Sequence, residues 1–134
     1  MSTGASFPKL RVARPTNNIS ALLPFYINGL GLKVLSQFAD HDGFDGTIIG
    51  HENAPYHFEF TTCKGHTVGG APTQDNLLVF YFPEQREWDA AVKRMMAAGF
   101  EPVKSFNPYW EERGSTFEDP DGWRFVLQWM EWNV

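Results

Sequence analysis

The sequence predicts an α+β fold built from two βαβββ modules, and three observations carry that reading. The same order of patterns occurs twice: a short strand, an amphipathic helix, a glycine stop, then further strands. The first copy runs Phe25-Tyr26 into Gly29-Leu30-Gly31-Leu32, and the second runs Trp88, Ala91, Val92 and Met95 into Ala97-Ala98-Gly99-Phe100. Between the copies, Lys64 to Asp75 carries Gly65, Gly69, Gly70 and Pro72 among small or polar residues, the composition of a linker. The second copy closes on Asp119-Pro120-Asp121-Gly122, a tight turn feeding an apolar strand. One domain over 1–134 is expected, with module 1 at about 8–63, the linker at about 64–75 and module 2 at about 76–130.

Leu10 to Arg14 reads as a short strand, and Pro15-Thr16-Asn17-Asn18 as a turn with Asn18 or Ser20 as helix N-cap. Ile19 to Asn28 follows as a helix whose Leu22, Leu23, Phe25 and Tyr26 form an apolar face. Pro24 inside it costs a hydrogen bond, which predicts a late start or a kink. Leu32 to Ala39 and Phe44 to Gly50 are strand-like, joined through Asp40-His41-Asp42-Gly43. Tyr56 to Thr62 alternates, with Tyr56, Phe58 and Phe60 on one face and His57, Glu59 and Thr61 on the other. Asn76 to Phe82 is an apolar strand, and Glu84 to Ala98 is a helix, acidic at its start and basic near its end at Lys93 and Arg94. Glu101 to Ser105 and Ser115 to Glu118 read as strands flanking an aromatic loop, Phe106-Asn107-Pro108-Tyr109-Trp110. Trp123 to Trp129 is the last strand.

Composition narrows the function classes. Aromatic residues make up 16% of 134 residues, including 12 Phe and 5 Trp, more than a core of this size needs, so some are expected to line a pocket or an interface. A formal net charge of −5 argues against nucleic acid and anionic membrane as partners. The single cysteine, Cys63, excludes an internal disulfide and fits a cytoplasmic protein. Met1 to Lys9 has no apolar leader core, and the apolar stretch Ala21 to Ile27 is too short to span a bilayer.

Phe25-Tyr26 with Gly29-Leu30-Gly31-Leu32-Lys33-Val34, then Ala97-Ala98-Gly99-Phe100, then Phe117-Glu118-Asp119-Pro120-Asp121-Gly122, in this order and spacing, resemble the vicinal oxygen chelate superfamily. That superfamily includes glyoxalase I, bleomycin resistance proteins and extradiol dioxygenases. The resemblance covers about Leu10 to Trp129. It implies two modules, each curling a sheet into half a cup, and by family habit a homodimer. In the family's metalloenzymes a divalent ion is held by one His, Glu or Gln on the first strand of each module and one Glu on the last strand of each. Carried over to this chain, those positions fall on Arg11, Glu59, Asn76 or Leu78, and Val126. One ligand of the set remains, and the permanent charge of Arg11 repels a cation. The resemblance therefore predicts fold but no metal cofactor.

Arg11 and Glu59 are expected on one floor, either as an ion pair that compensates two charges or as anchors for a polar ligand. His57 shares the Glu59 face, so these two are the weak candidates for a relocated divalent-metal site with His51 or His66. Arg124, Val126 and Gln128 should face the cup, while Trp123, Phe125, Leu127 and Trp129 pack against helices. Tyr109 and Trp110, stiffened by Pro108, form an aromatic wall suited to planar or cationic ligands or to a partner subunit. Cys63 has no obvious base beside it. The expected function is metal-free binding of a small aromatic or cationic molecule, with Arg11, His57, Glu59, Tyr109, Trp110, Arg124 and Gln128 as ligand contacts and no catalytic residue. Two alternatives stay open: a metal-dependent lyase, isomerase or dioxygenase around Glu59 and His57, and a dimeric interaction module with no ligand, using Trp110 and Trp129.

Overall fold

The computed structural model describes residues 7–132; of the leader reading over Met1 to Lys9, residues 1–6 lie outside it. The elements are β1 (Leu10–Pro15), α1 (Ile19–Leu23) continuing into a π-helical turn (Pro24–Gly29), β2 (Lys33–His41), β3 (Phe44–Gly50), β4 (Tyr56–Cys63), β5 (Leu77–Phe82), α2 (Gln85–Ala97), α3 (Tyr109–Glu112), β6 (Gly114–Glu118) and β7 (Arg124–Trp129). The first sheet has the order β1-β4-β3-β2, with β1 parallel to β4 and the rest antiparallel. The second has the order β5-β7-β6, with β5 parallel to β7 and β6 antiparallel to it. The two sheets therefore repeat one topology: a first strand running beside the last, and the last paired on its other side with the strand before it. In the second copy the place of β2 is taken by a single bridge, Val103 to Thr116. A strand expected over Glu101 to Ser105 is reduced to that bridge, since Pro102 offers no N–H to a ladder.

Pro24 changes the helix rather than delaying it. It cannot donate to a carbonyl in the preceding turn, and the winding widens there, so that Leu30 N–H reaches Phe25 O, five residues back, at 2.9 Å. The turn expected at Asp40 to Gly43 tightens to Asp42-Gly43, both with positive φ (55° and 86°), the signature of a primed two-residue hairpin.

Contacts divide the chain into two compact units. One holds β1 with β2, β3 and β4, and the other holds Ser20–Gly31 with the chain from Gly69 onward. In the first unit Phe58, Phe60 and Ile49 are buried, and the Arg14 guanidinium lies over the Phe58 and Phe60 rings at 5.8 and 5.2 Å. In the second, Phe25 meets Phe100 (5.0 Å) and Phe125 (5.7 Å), and Tyr26 meets Phe125 edge-on (5.5 Å). Arg94, in the last turn of α2, donates to Gly29 O (3.0 Å) and Leu30 O (3.1 Å), closing carbonyls that the end of the first helix leaves open.

Candidate functional site

Register puts Arg11, His57 and Glu59 on one sheet face. Arg11 stands opposite His57 across the parallel β1–β4 pair, and Ala13 stands opposite Glu59. Arg11 Nε donates to His57 Nε2 at 2.9 Å, and Nη1 reaches Glu59 Oε2 at 3.3 Å. With its Nε2 accepting, His57 carries its ring proton on Nδ1. The Arg11 side chain is 46% exposed and that of Glu59 17%, so this pair is worth little as pure stability. The three residues singled out from sequence are thus brought together, with the arginine between its two partners. His51 and His66 sit in exposed turns, their backbones tied to Ala54 and Cys63.

In the second unit the loop expected between Ser105 and Ser115 folds into α3, which carries Tyr109 and Trp110 with their rings edge-to-face at 4.9 Å. Asn107 caps the turn, Oδ1 accepting from Tyr109 N–H at 3.0 Å. Glu111 turns back to accept from Ser105 N–H at 2.8 Å, and bonding to Ser105 holds its carboxyl below the usual carboxylate range. Asp75, Leu77, Phe106, Pro108 and Trp110, together with Gln74 and Asn107, line a cleft of about 390 Å³.

Arg124 and Gln128 lie elsewhere on β7 and are buried at 6% and 1% exposure. Arg124 is engaged, Nε with Glu118 Oε1 (3.0 Å) and Nη1 with the Lys104 carbonyl (2.9 Å). Gln128 stands opposite Gly114, and its Oε1 has no hydrogen-bond partner among the described residues. A side chain at Gly114 would strike that oxygen and the Trp110 carbonyl, 2.6 Å away. As expected, Phe125 faces the helix side; its neighbour Leu127 accepts from Trp88 Nε1 through its carbonyl at 2.7 Å.

A divalent ion does not fit the donor set. Leu78 pairs with Phe125 and so shares its helix-side face, whereas Leu77 and Val79 share the face of Arg124 and Val126. The equivalents of a four-ligand set thus provide Glu59, an arginine and apolar side chains. Among the described residues no group of three His, Cys, Asp or Glu side chains could hold a metal. His57, the nearest nitrogen donor, is occupied by Arg11.

Family models agree with this topology: residues 10–61 match the YycE-like N-terminal domain and 75–129 the YycE-like C-terminal domain. The uncharacterized protein YycE of Bacillus subtilis (strain 168) is 43% identical over 119 residues, covering 89% of this chain and 86% of that protein. The chain belongs to the YycE-like family. A crystal structure of a B. subtilis YycE protein, described as of unknown function and of glyoxalase/fosfomycin-resistance type, superposes with a TM-score of 0.83 at 40% identity, over 94% of this chain and 91% of that one. Glyoxalase I of Leishmania major follows at 0.69 and 17% identity (92% and 87% covered). TnmS3, an antibiotic-binding protein from Streptomyces sp. CB03234, follows at 0.65 and 18% (97% and 100%). The fold is that of the vicinal oxygen chelate superfamily, and one fold serves an enzyme and a binding protein alike.

Of the aromatic pair expected in the YycE-like chain, Trp110 lines the cleft whereas Tyr109 does not and packs edge-to-face on it; Gln74, Asp75 and Leu77, which share the lining, are not among the expected contacts. Gln74 and Asp75 close the stretch that reads as linker, and Leu77 opens β5, the strand expected from Asn76 onward. No helix among the described residues is long and apolar enough to cross a membrane.

Proposed function

We propose that this YycE-like protein binds a small aromatic or cationic molecule without a metal, and that the ligand lies in the cleft between Asp75 and Trp110. The observation that carries the reading is the pairing of one carboxylate with aromatic and proline walls in a volume of about 390 Å³. Pockets for small molecules run from roughly 300 to 1,000 Å³ and combine apolar walls with few polar groups. Trp110 and Phe106 line the cleft as aromatic partners suited to a flat cation, and Asp75 supplies the opposing charge. The mismatched ligand set for a divalent ion points the same way. A cytoplasmic homodimer completes the reading, supported by the free thiol of Cys63 and by the exposed Leu10 and Trp132 side chains that a second copy would cover.

Titration with N-methylquinolinium and with neutral quinoline, followed by tryptophan fluorescence, tests it. Saturable binding is expected for both, tighter for the cation, with Trp110→Ala weakening each and Asp75→Asn removing the preference for charge. Binding indifferent to both substitutions, or stoichiometric metal in the purified protein, would overturn the proposal.

A further inference from the structure

The first sheet carries a second polar cluster, Arg11 with His57 and Glu59. Arg11 spends Nε on His57 and Nη1 on Glu59, and Nη2 keeps both of its N–H groups without a partner among the described residues. The floor is open on one side only: Ala13, exposed and in register with Glu59, adds just a methyl group, whereas Ile48 in register with Glu59 and Leu35 beside Gly50 wall the other side. His57 and Glu59 fix the guanidinium plane from two directions, so an incoming ligand need not order a floppy side chain. A pre-oriented guanidinium with unclaimed donors beside an open position has the chemistry that recognises an oxyanion.

We propose that Arg11, positioned by His57 and Glu59, binds the carboxylate group of a small monoanionic ligand. Glu59 sets the charge limit. Its carboxylate lies 3.3 Å from Nη1 and repels a second negative charge, so a planar monoanion is accepted and a phosphate dianion is disfavoured. The site is built within the first unit and is independent of the cleft reading.

The test is NMR titration of the Arg11 side-chain ¹⁵N resonances with acetate, with inorganic phosphate at pH 8, and with chloride at matched ionic strength. Acetate should shift them saturably, and phosphate and chloride should not. Arg11→Gln, followed instead through the His57 ring ¹⁵N resonances, should abolish the acetate response. Ala13→Leu, which leaves the charges in place but fills the floor, should weaken it about tenfold. Glu59→Gln should raise the phosphate response relative to acetate, a change of selectivity that a merely structural ion pair would not produce. Trp110→Ala should leave the acetate response untouched, separating this site from the cleft. Equal shifts with acetate and chloride, acetate binding that survives Arg11→Gln, or unchanged selectivity in Glu59→Gln would overturn the proposal.

Discussion

Tyr26 Oη donates to Asp119 Oδ2 at 2.5 Å, joining the π-helical turn to the turn that opens the last strand. The other carboxylate oxygen accepts from Asp121 N–H and Trp123 N–H, both at 2.9 Å. Asp119 is 3% exposed and Tyr26 fully buried, so each lost partner leaves a group stranded away from water. Tyr26→Phe should cost about 1–2 kcal/mol, and Asp119→Ala, which strands three donors, more than that. Chemical denaturation of both variants checks the order; an Asp119→Ala variant as stable as Tyr26→Phe would contradict it.

Two glycines should fail for different reasons. Gly99 has φ +97° with nothing within 4 Å of an added Cβ, so Gly99→Ala meets only backbone strain, about 1–2 kcal/mol. Gly114 has an ordinary φ but no room, since the Trp110 backbone and the Gln128 amide close on it. Gly114→Ala should exceed Gly99→Ala by at least about 1 kcal/mol, as overpacking against backbone is hard to relieve. It should also move Trp110, so a change in tryptophan emission is expected for Gly114→Ala and none for Gly99→Ala.

These contacts show what sequence could and could not reveal. The repeated helix-glycine-strand pattern and the Asp-Pro-Asp-Gly turn were legible because local chemistry dictates them: Asp119 bonds amides two and four residues ahead. The grouping of Arg11, His57 and Glu59 was legible in part, because alternation fixes which β4 residues share a face. The arginine's choice of His57 as acceptor was not, since it depends on the register of a parallel pair joined through a crossover. Arg124 is a sharper case. Its alternating position marked a face, but its partners, Glu118 and the Lys104 carbonyl, come from segments whose pairing no periodicity encodes. Asp75 stayed hidden for the same reason: nothing local ties it to Trp110.

Acid should loosen the α3 segment before it unfolds the protein. The carboxyl of Glu111 is held below its ordinary value of 4.5 by its bonds to Ser105. A depressed carboxyl contributes stability that is present above its ordinary value and is lost as pH falls through the lowered one. The group is solvent-exposed, so the effect is local and small. The Ser105 amide resonance should therefore titrate below pH 4.5, and in Glu111→Gln that titration should vanish. A Ser105 amide that is insensitive to acid would remove Glu111 as the tether of this segment.

Arg124 separates a structural role from a binding one. Its side chain is 7% exposed and its partner Glu118 37%, so the pair is buried on one side and wet on the other. Removing Glu118 leaves a buried guanidinium with the Lys104 carbonyl but no countercharge, whereas Arg124→Met removes the charge and keeps the bulk. Breaking a fully buried pair costs about 3–5 kcal/mol, and the exposure of Glu118 lowers this to roughly 1–2 kcal/mol for Glu118→Gln. Arg124→Met should be no worse, because an apolar side chain of similar size fills the site without a desolvation penalty. Both variants should bind N-methylquinolinium as the parent does, since neither residue lines the cleft. Loss of binding in a folded Arg124→Met protein would instead make Arg124 a ligand contact.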